Sequence, residues 1–485
     1  MLARMLTHTF VGVEARSVEV EAHLQRGVPS FTIVGLADRA CQEAKERVRS
    51  GIASAQLDWP MRRITVNLAP ADLRKEGPGF DLPIALAIIA ASGQVPAERL
   101  VGHSALGELA LDGRVRPVGG VIVAAEAGRR AGCTRMLLPV EAAPEAVIAG
   151  IEPVPVRDLA EAVAYLRGEW EPSPVGAVTL VEREPQPDLA DVRGNERARR
   201  ALEIAAAGRH NLLLAGPPGT GKTMLARRLP GVLPPLTLAE AIEVTRIHSV
   251  AGILPPGRPL VGAPPFRAPH HGASTAAVIG GGAGPRPGEA SLAHHGVLLL
   301  DELPEFARPT IEALRQPLED GTVAISRVGG RAVFPARFQL VATMNLCPCG
   351  GRGDPAAECT CSAQRLALFR DRLSRALLDR IDLIVAVPRI RAVDLAAPPG
   401  EPSAAVCARV VAARGRLQVD AAGLDTPAAA LLDRAVDRLP LSGRGRARVL
   451  RVAATIAALA GSSRIHAEHV AEALSYRMPR ELEAG

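Results

Sequence analysis

The sequence predicts an α/β protein in which a central parallel sheet is preceded by an α+β domain and followed by a helical lid. Between residues 192 and 390, short apolar runs alternate with stretches of helical spacing, a pattern typical of parallel strands covered on both faces. Residues 1–170 combine strand-like alternation with an amphipathic helix. Residues 391–485 are rich in Ala, Leu and Arg at helical spacing, which favours an α-helical lid.

Length and composition restrict the possible classes of protein. A chain of 485 residues exceeds the size at which a single core stops growing, so more than one domain is expected. The net charge of +6 permits contact with polyanions but does not require it.

The N-terminal segment lacks the apolar stretch of a secretory signal, and the longest near-apolar run, Leu82–Ala91, is too short to cross a bilayer. We therefore expect a soluble cytoplasmic protein without a membrane partner, whose seven cysteines are free thiols or metal ligands.

Local patterns within residues 1–170 indicate short strands and one long helix. An Asp-Gly pair between alternating apolar residues predicts a hairpin over Glu108–Val115. Residues 171–191 are rich in Pro, Glu and Asp with little periodicity and are interpreted as a linker. The other predicted elements are the strands Ser17–Leu24, Phe31–Val34 and Arg63–Leu68 and the helix Ala37–Ala55.

A glycine-rich segment follows the predicted strand Asn211–Ala215 and precedes the helix-like run Met224–Leu229. This strand–loop–helix context is the one that a P-loop requires, because its backbone N–H groups must wrap phosphates at a helix N-terminus. Lys222 would reach the β- and γ-phosphates of ATP, and the Thr223 hydroxyl would bind Mg²⁺. The predicted nucleotide-binding residues are Gly216, Pro217, Pro218, Gly219, Thr220, Gly221, Lys222 and Thr223.

Two further apolar runs end in polar residues that suit the same site. The run Val297–Leu300 leads into Asp301, which would hold Mg²⁺, and Glu302, which would polarise the attacking water. A third run, Phe338–Thr343, ends near Asn345, whose amide can orient the water or contact the γ-phosphate. The carboxyl ends of parallel strands meet at one edge of a sheet, so these groups are expected to meet the P-loop.

Four cysteines form two Cys-x-Cys pairs in an insertion at residues 347–361, which suits tetrahedral Zn²⁺. An iron–sulfur cluster and reduced, metal-free thiols are the alternatives. The pairs His270–His271 and His294–His295 are expected to pack or hydrogen-bond rather than bind metal, because adjacent side chains point in different directions on a helix or strand. The four predicted zinc ligands are Cys347, Cys349, Cys359 and Cys361.

Several longer segments carry a resemblance to a known family. The chain resembles the magnesium-chelatase-like AAA+ ATPases of the ComM/YifB family over almost its whole length. It departs from the family pattern at Leu346, where Pro is usual, and at Ala454, where Arg is expected. The segments that carry the resemblance are PFRAPHH (265–271), PRPGE (285–289), SLAHHG (291–296), DELPEF (301–306) and LLDRID (377–382).

The resemblance implies a homo-hexameric ring with nucleotide at the subunit interfaces. Arg380 matches an arginine finger that acts on the neighbouring subunit, and Arg444 matches the sensor arginine of the lid. Residues 1–170 resemble the Lon-protease-like, S5-like domain, but Gly79 and Ile122 stand where the catalytic Ser and Lys would be. This domain is therefore interpreted as a non-proteolytic scaffold or a DNA-contacting platform, which argues against an ATP-dependent protease.

The implied activity is that of an ATP-dependent DNA translocase or helicase that promotes branch migration of recombination intermediates. DNA, single-stranded or branched, and recombination proteins are the expected partners. The candidate DNA contacts are Arg327 and Arg331 on a hairpin before the third strand, and Arg286 beside a glycine loop; a solvated hairpin is the alternative.

The competing function is a motor subunit that helps to insert Mg²⁺ into a tetrapyrrole. The Lon-like domain and the four-cysteine insertion are not features of that motor.

Overall fold

A computed structural model describes residues 1–176, 178, 185–255, 258–282, 285–327, 330–373, 375–419, 423–439 and 441–477. Part of the predicted linker, residues 177 and 179–184, lies outside the described residues. Among the described residues, no helix is both long and apolar enough to cross a membrane.

The first region is a mixed sheet covered by helices. Seven strands pair in the order β3-β4-β2-β1-β5-β8-β9, and β6 and β7 form the predicted hairpin beside them. Helix α1 begins after Asp38, whose carboxylate accepts a hydrogen bond from the N–H of Cys41. The strands are β1 (Leu2–Val11), β2 (Glu14–Gln25), β3 (Ser30–Val34), β4 (Arg63–Ala69), β5 (His103–Ala105), β6 (Glu108–Leu109), β7 (Val115–Arg116), β8 (Arg135–Pro139) and β9 (Glu152–Val156). The helices are α1 (Arg39–Ser54), α2 (Asp81–Ala91), α3 (Val121–Arg130), α4 (Ala143–Ala149) and α5 (Leu159–Arg167).

The second region contains the predicted parallel sheet, with strand order β11-β14-β17-β10-β18. Leu212 and Leu214 face one apolar core while Leu213 and Ala215 face another, so both faces are buried, as the apolar runs predict. The strands are β10 (Leu212–Ala215), β11 (Phe266–Arg267), β12 (Gly280–Gly281), β13 (Arg286–Pro287), β14 (Val297–Leu300), β15 (Thr322–Arg327), β16 (Gly330–Pro335), β17 (Gln339–Met344) and β18 (Leu383–Ala386). The helices are α6 (Glu196–Gly208), α7 (Lys222–Ala226), α8 (Leu229–Val232), α9 (Leu238–Ala251), α10 (Thr275–Ile279), α11 (Glu289–Leu292), α12 (Arg308–Ala313), α13 (Arg315–Asp320), α14 (Ala363–Asp371), α15 (Arg375–Leu378) and α16 (Ala392–Leu395).

The third region is helical, as predicted, and packs on α6 of the second. Val410 of α17 and Val452 of α19 belong to the same apolar core as Leu202 of α6. The helices are α17 (Ser403–Val419), α18 (Thr426–Arg438), α19 (Gly443–Leu459) and α20 (Ala467–Ser475), with two short paired strands, β19 (Gly423–Leu424) and β20 (Arg464–Ile465).

Helix α3 of the first region packs against α9 of the second, and backbone groups meet there. The N–H of Gly120 donates to the carbonyl of Ser249 at 2.9 Å. A Cβ on Gly119 would lie 2.7 Å from the same carbonyl oxygen, so the close approach requires glycine. Arg246 adds a bond to Glu126, with 2.5 Å between the nearest nitrogen and oxygen. The first region is thus joined to the second by more than the covalent linker.

Candidate nucleotide-binding site

The P-loop connects the end of β10 to the start of α7. Gly219 and Gly221 have φ values of 77° and 87°, a left-handed conformation that L-residues with a side chain rarely adopt. Gly216 lies so close to the residue that follows the neighbouring strand β18 that a Cβ would be 2.2 Å from the carbonyl oxygen of Val387. The glycines therefore shape a loop whose backbone N–H groups lead into a helix N-terminus, a favourable place for phosphate oxygens.

Lys222 is the first residue of α7, and its ammonium lies inside the loop. Its side chain is nearly buried, with 8% exposure. The Nζ donates to the carbonyls of Gly216 at 2.9 Å and Pro217 at 2.6 Å and to Oδ1 of Asn345 at 3.1 Å. Burial lowers the pKa of Lys222, and the negative charge of nearby Asp301 acts against that shift. The structure therefore brings Lys222 and Asn345 into direct contact.

Asp301 follows β14 and accepts hydrogen bonds from two hydroxyl groups. The Oγ1 of Thr223 donates to Oδ1 of Asp301 at 2.8 Å, and the Oγ1 of Thr343 donates to the same oxygen at 2.6 Å. Thr223 and Asp301 thus offer adjacent hydroxyl and carboxylate oxygens, the ligand type that Mg²⁺ prefers. The role of Thr343 was not predicted from the sequence; its signal was a hydroxyl near the end of β17, the strand between β14 and β10.

Glu302 adopts an unusual backbone conformation at the end of the acidic pair. Its φ is 57°, in the left-handed region, where a non-glycine residue is strained. Its N–H donates to Oγ1 of Thr343 at 3.0 Å, which fixes the turn, and its side chain is exposed. Asp301 and Glu302, though adjacent, therefore have different environments: one carboxylate is bound to hydroxyls and the other faces solvent.

An apolar cavity of about 320 Å³ opens beside the P-loop. It touches Thr220 and Gly221, and its volume and walls fit an aromatic base whose phosphates lie on the loop. This cavity has no signal in the sequence, because its walls come from three distant segments. They include Val192 and Arg193 before α6, Met224 and Leu225 of α7, and Ile390 and Leu395 near α16.

The structure places Arg380 and Arg444 together, at a different location from the P-loop lysine. The side chains of both arginines bind the carboxylate of Glu319, and Arg380 also donates to the carbonyl of Ala376. Arg380 lines a second cavity, of about 550 Å³, whose walls are rich in arginine. The described hydrogen bonds join both arginines to Glu319 of this cavity, and none of them joins either arginine to Lys222 or Asp301.

The four insertion cysteines converge on one point. The Sγ atoms of Cys347, Cys349 and Cys359 are 3.4 to 3.7 Å apart, and that of Cys361 lies within 4.8 Å of the others. Tetrahedral Zn²⁺ with Zn–S bonds of about 2.3 Å places its sulfurs about 3.8 Å apart, so the donor set and spacing fit this ion. A hydrogen bond from the N–H of Gly351 lowers the pKa of the Cys349 thiol, whereas burial raises the pKa of the Cys347 thiol. Of the other thiols, Cys41 and Cys133 are buried and Cys407 is half-buried.

The second histidine pair corrects one expectation. His294 and His295 do not point apart: both Nε2 atoms contact Oε2 of Glu243, at 3.0 and 2.9 Å. The cause is the backbone of His295, whose φ of 56° turns both rings to one side. The N–H of Arg337 donates to Nδ1 of His294, which leaves the proton on Nε2, facing the carboxylate. The expected hydrogen bonding is present, and the ligand atoms of Glu243, His294 and His295 also lie within 4.8 Å of one another, close enough to hold a metal ion.

The candidate DNA-binding residues lie on two neighbouring hairpins. Strands β15 and β16 form the predicted hairpin, on which Arg331 is exposed; residues 328 and 329 at its tip and the side chain of Arg327 lie outside the described part. Arg286 is exposed on β13, which pairs with β12. A Cβ on Gly280 of β12 would lie 2.9 Å from Cδ1 of Ile325 on β15, so the two hairpins pack together.

The parallel sheet, the P-loop and the acidic pair after β14 define the class: an AAA+-type P-loop protein with a helical lid. Matches to known protein families agree with this class. Residues 188–395 match "Magnesium chelatase, subunit ChlI", residues 20–142 match "Subunit ChlI of Mg-chelatase", and residues 400–477 match "Magnesium chelatase, subunit ChlI C-terminal".

Relatives that match over nearly their full length identify the family within this class. Competence protein ComM from Haemophilus influenzae is 43% identical over 98% of this chain and 97% of its own length. YifB from Escherichia coli is 43% identical over 97% of this chain and 96% of its own length. Rv2897c from Mycobacterium tuberculosis is 44% identical over 98% of each chain. The chain belongs to the ComM/YifB family of magnesium-chelatase-like proteins.

A weaker similarity concerns the first region. Lon protease from Brevibacillus choshinensis is 28% identical over 33% of this chain and 22% of its own length. At the positions of the expected nucleophile and amine, Gly79 is buried against Leu106, and Ile122 is fully buried in an apolar core. Neither residue can supply a nucleophile or a base, in agreement with a Lon-like fold without the Ser–Lys pair.

Proposed function

We propose that this chain hydrolyses ATP in a homo-hexameric ring, translocates on DNA and promotes branch migration of recombination intermediates. The observation that carries the proposal is a direct connection in the chain. Helix α13 bears Glu319, which binds Arg380 and Arg444, and it leads through Gly321 into the hairpin that exposes Arg331. A hairpin that contacts a polymer would therefore move together with the arginines of the nucleotide cycle. The near full-length similarity to a competence protein supports DNA as that polymer.

The residues at the P-loop have distinct roles in this proposal. Lys222 neutralises phosphate charge, and Asn345, bound to Lys222, is placed to contact the γ-phosphate or orient the water. Thr223 and Asp301 would hold Mg²⁺, which supplies positive charge to the β- and γ-phosphate oxygens. Glu302 accepts the proton of the attacking water, because its exposed carboxylate is not bound to the hydroxyls that hold Asp301.

Arg380 completes the site of the adjacent subunit in this arrangement. Its guanidinium lines the arginine-rich cavity and not the P-loop of its own chain. A guanidinium inserted from a neighbour would stabilise charge that develops on the transferred phosphoryl group. Arg444, on the lid helix α19, would follow the lid as it closes on the same nucleotide.

The DNA contact is tested by changing Arg331, with Arg434→Ala on the lid helix α18 as a control that removes the same charge from an exposed position. We expect Arg331→Ala to weaken binding of forked DNA and to lower the salt dependence of log K by about 0.7–0.9 for each lost phosphate contact. ATPase rates measured with and without forked or four-way DNA show whether DNA changes the rate of ATP hydrolysis. Unchanged affinity and salt slope in Arg331→Ala would exclude this hairpin as the contact.

The same assay separates DNA translocation from the chelatase alternative, which the ChlI matches favour. A DNA motor hydrolyses ATP faster on forked or four-way DNA and exchanges strands in a branch-migration assay. A chelatase motor requires a separate metal-binding subunit and a tetrapyrrole. An ATPase rate that no DNA changes, together with no strand exchange, would favour the chelatase motor.

Zinc is proposed on the four cysteines, and the prediction is about one Zn²⁺ per chain. Cys359→Ser should lose the metal and uncouple ATPase activity from DNA more than it lowers nucleotide affinity. The reason is position, since the insertion lies between Asn345, bound to Lys222, and Arg380. Cys407→Ser, on helix α17, is the matched control and should keep the metal. Elemental analysis that finds no metal in protein prepared without chelators would contradict the assignment.

A further inference from the structure

The carboxylate of Glu319 is shared by two arginines from different parts of the fold. The Nη2 of Arg380 and, at 3.3 Å, the Nη1 of Arg444 contact the same oxygen, Oε1. Arg380 is 7% exposed, Glu319 46% and Arg444 70%, so the shared carboxylate lies between a buried arginine and one in solvent. Among the described residues, the buried Nε of Arg380 has no hydrogen-bond partner. Glu319 thus supplies the negative charge that the buried guanidinium of Arg380 needs.

Two other carboxylates of the cavity, Asp382 and Glu240, have different partners. Asp382 accepts from the N–H of Asn211 at 2.9 Å and pairs with Arg451 at 3.3 Å, and Glu240 pairs with Arg209 at 2.6 Å. The lining holds more arginines than carboxylates, which suits a polyanion. The arginines are Arg209, Arg337, Arg380, Arg414, Arg448 and Arg451, and the carboxylates are Glu240, Glu319, Asp320 and Asp382.

Three moving parts of the proposed motor meet at Glu319. Arg380 belongs to the core, and Arg444 lies on the lid helix α19. Glu319 itself is the penultimate residue of α13, and Gly321, with a φ of 66°, turns the chain from α13 directly into β15 of the hairpin. A change of partner at this carboxylate therefore acts at the base of the hairpin.

We propose that Glu319 is a positioning residue, which holds Arg380 and Arg444 at the cavity until phosphates of a nucleotide on the adjoining subunit replace its carboxylate as their partner. The inference rests on the proposed action of Arg380 in trans. Carboxylate and phosphate oxygens both form charge-assisted bonds with guanidinium, so the exchange leaves no arginine without a counter-charge. Once released, Glu319 is free to move with α13 and the hairpin.

The test is Glu319→Gln in the full chain, which keeps the side-chain shape but removes the charge. We expect the kcat for ATP to fall about tenfold or more, because the buried guanidinium of Arg380 is no longer held in position before the phosphates arrive, while KM changes less than about threefold. Glu319→Asp, which keeps the charge, should retain a higher rate than Glu319→Gln. Asp433→Asn is the matched control, because it removes an exposed carboxylate that pairs with another lid arginine, Arg446, outside this cavity, and its rate should stay near that of the parent chain.

A double variant links the effect to the arginine. Adding Glu319→Gln to Arg380→Ala should cause much less than the loss seen in the parent chain, because the buried Arg380 carries most of the effect of Glu319 and only the exposed Arg444 remains as its partner. An unchanged kcat in Glu319→Gln, an equal loss in Asp433→Asn, or a full additional loss in the double variant would overturn the positioning role and leave the finger assignment standing. A fully active Arg380→Ala would instead overturn the finger, and the inference about Glu319 with it.

Discussion

Glu302→Gln is expected to bind ATP with nearly unchanged affinity and to hydrolyse it about 10²–10⁴-fold more slowly, the range for loss of a general base. The amide keeps the shape of the side chain but cannot take a proton from water. The backbone contact that fixes the turn, from the Glu302 N–H to Thr343, uses no side-chain atom of Glu302 and should persist. Titration with a fluorescent ATP analogue and single-turnover phosphate release measure the two effects separately.

Glu305→Gln is the matched control for this prediction, because Glu305 is an exposed glutamate of the same segment. It should hydrolyse ATP at the parent rate. Normal turnover by purified Glu302→Gln would contradict the assignment of the general base. Lys222→Ala provides the complementary result: it should fail at binding, because it removes the charge enclosed by the loop carbonyls.

The elements of the parallel sheet were predictable because each carries its own local signal. The strands β10, β14 and β17 are apolar on both faces and end in polar or glycine residues, so position and burial follow from composition alone. The P-loop was equally visible, since left-handed glycines and a helix start must follow one another in sequence. Asn345, which follows β17, could be placed near Lys222 by the same rule of strand ends.

Groups that depend on tertiary contact could not be predicted in this way. Thr343 holds Asp301 and the turn of Glu302, yet a threonine in an apolar run looks like any β-branched strand residue. Glu319 precedes a hairpin and reads as a solvated charge until the fold brings Arg380 and Arg444 to it. The direction of the His294 and His295 side chains was misjudged because a positive φ at a non-glycine residue has no reliable signal in a single sequence.

The first region shows how similarity and geometry complement each other. Sequence alone indicates that Gly79 and Ile122 cannot perform Lon-type chemistry, but it says nothing of the surface between the regions. The structure shows that Gly119 and Gly120, which directly precede the α3 helix containing Ile122, approach Ser249 of α9 through their backbones. A side chain at Gly119 would prevent this contact, so glycine there is explained by docking between regions and not by catalysis.

Arg380→Ala is expected to keep nucleotide affinity nearly unchanged and to lower hydrolysis by about 10³-fold or more, the scale of a lost arginine finger. The guanidinium lies away from the P-loop of its own chain, so the ground-state contacts of Lys222 with ATP should persist.

Because Arg380 and Glu302 would serve different interfaces of one ring, mixtures of Arg380→Ala and Glu302→Gln subunits contain some interfaces with both residues intact. Such mixtures should recover part of the activity that each variant lacks alone, measured as phosphate release against mixing ratio with ring assembly checked by light scattering. Arg375→Ala, on the helix α15 before Arg380, is the control and should give no comparable loss. Assembled rings that stay inactive at every ratio would show that Arg380 does not act on the neighbouring subunit.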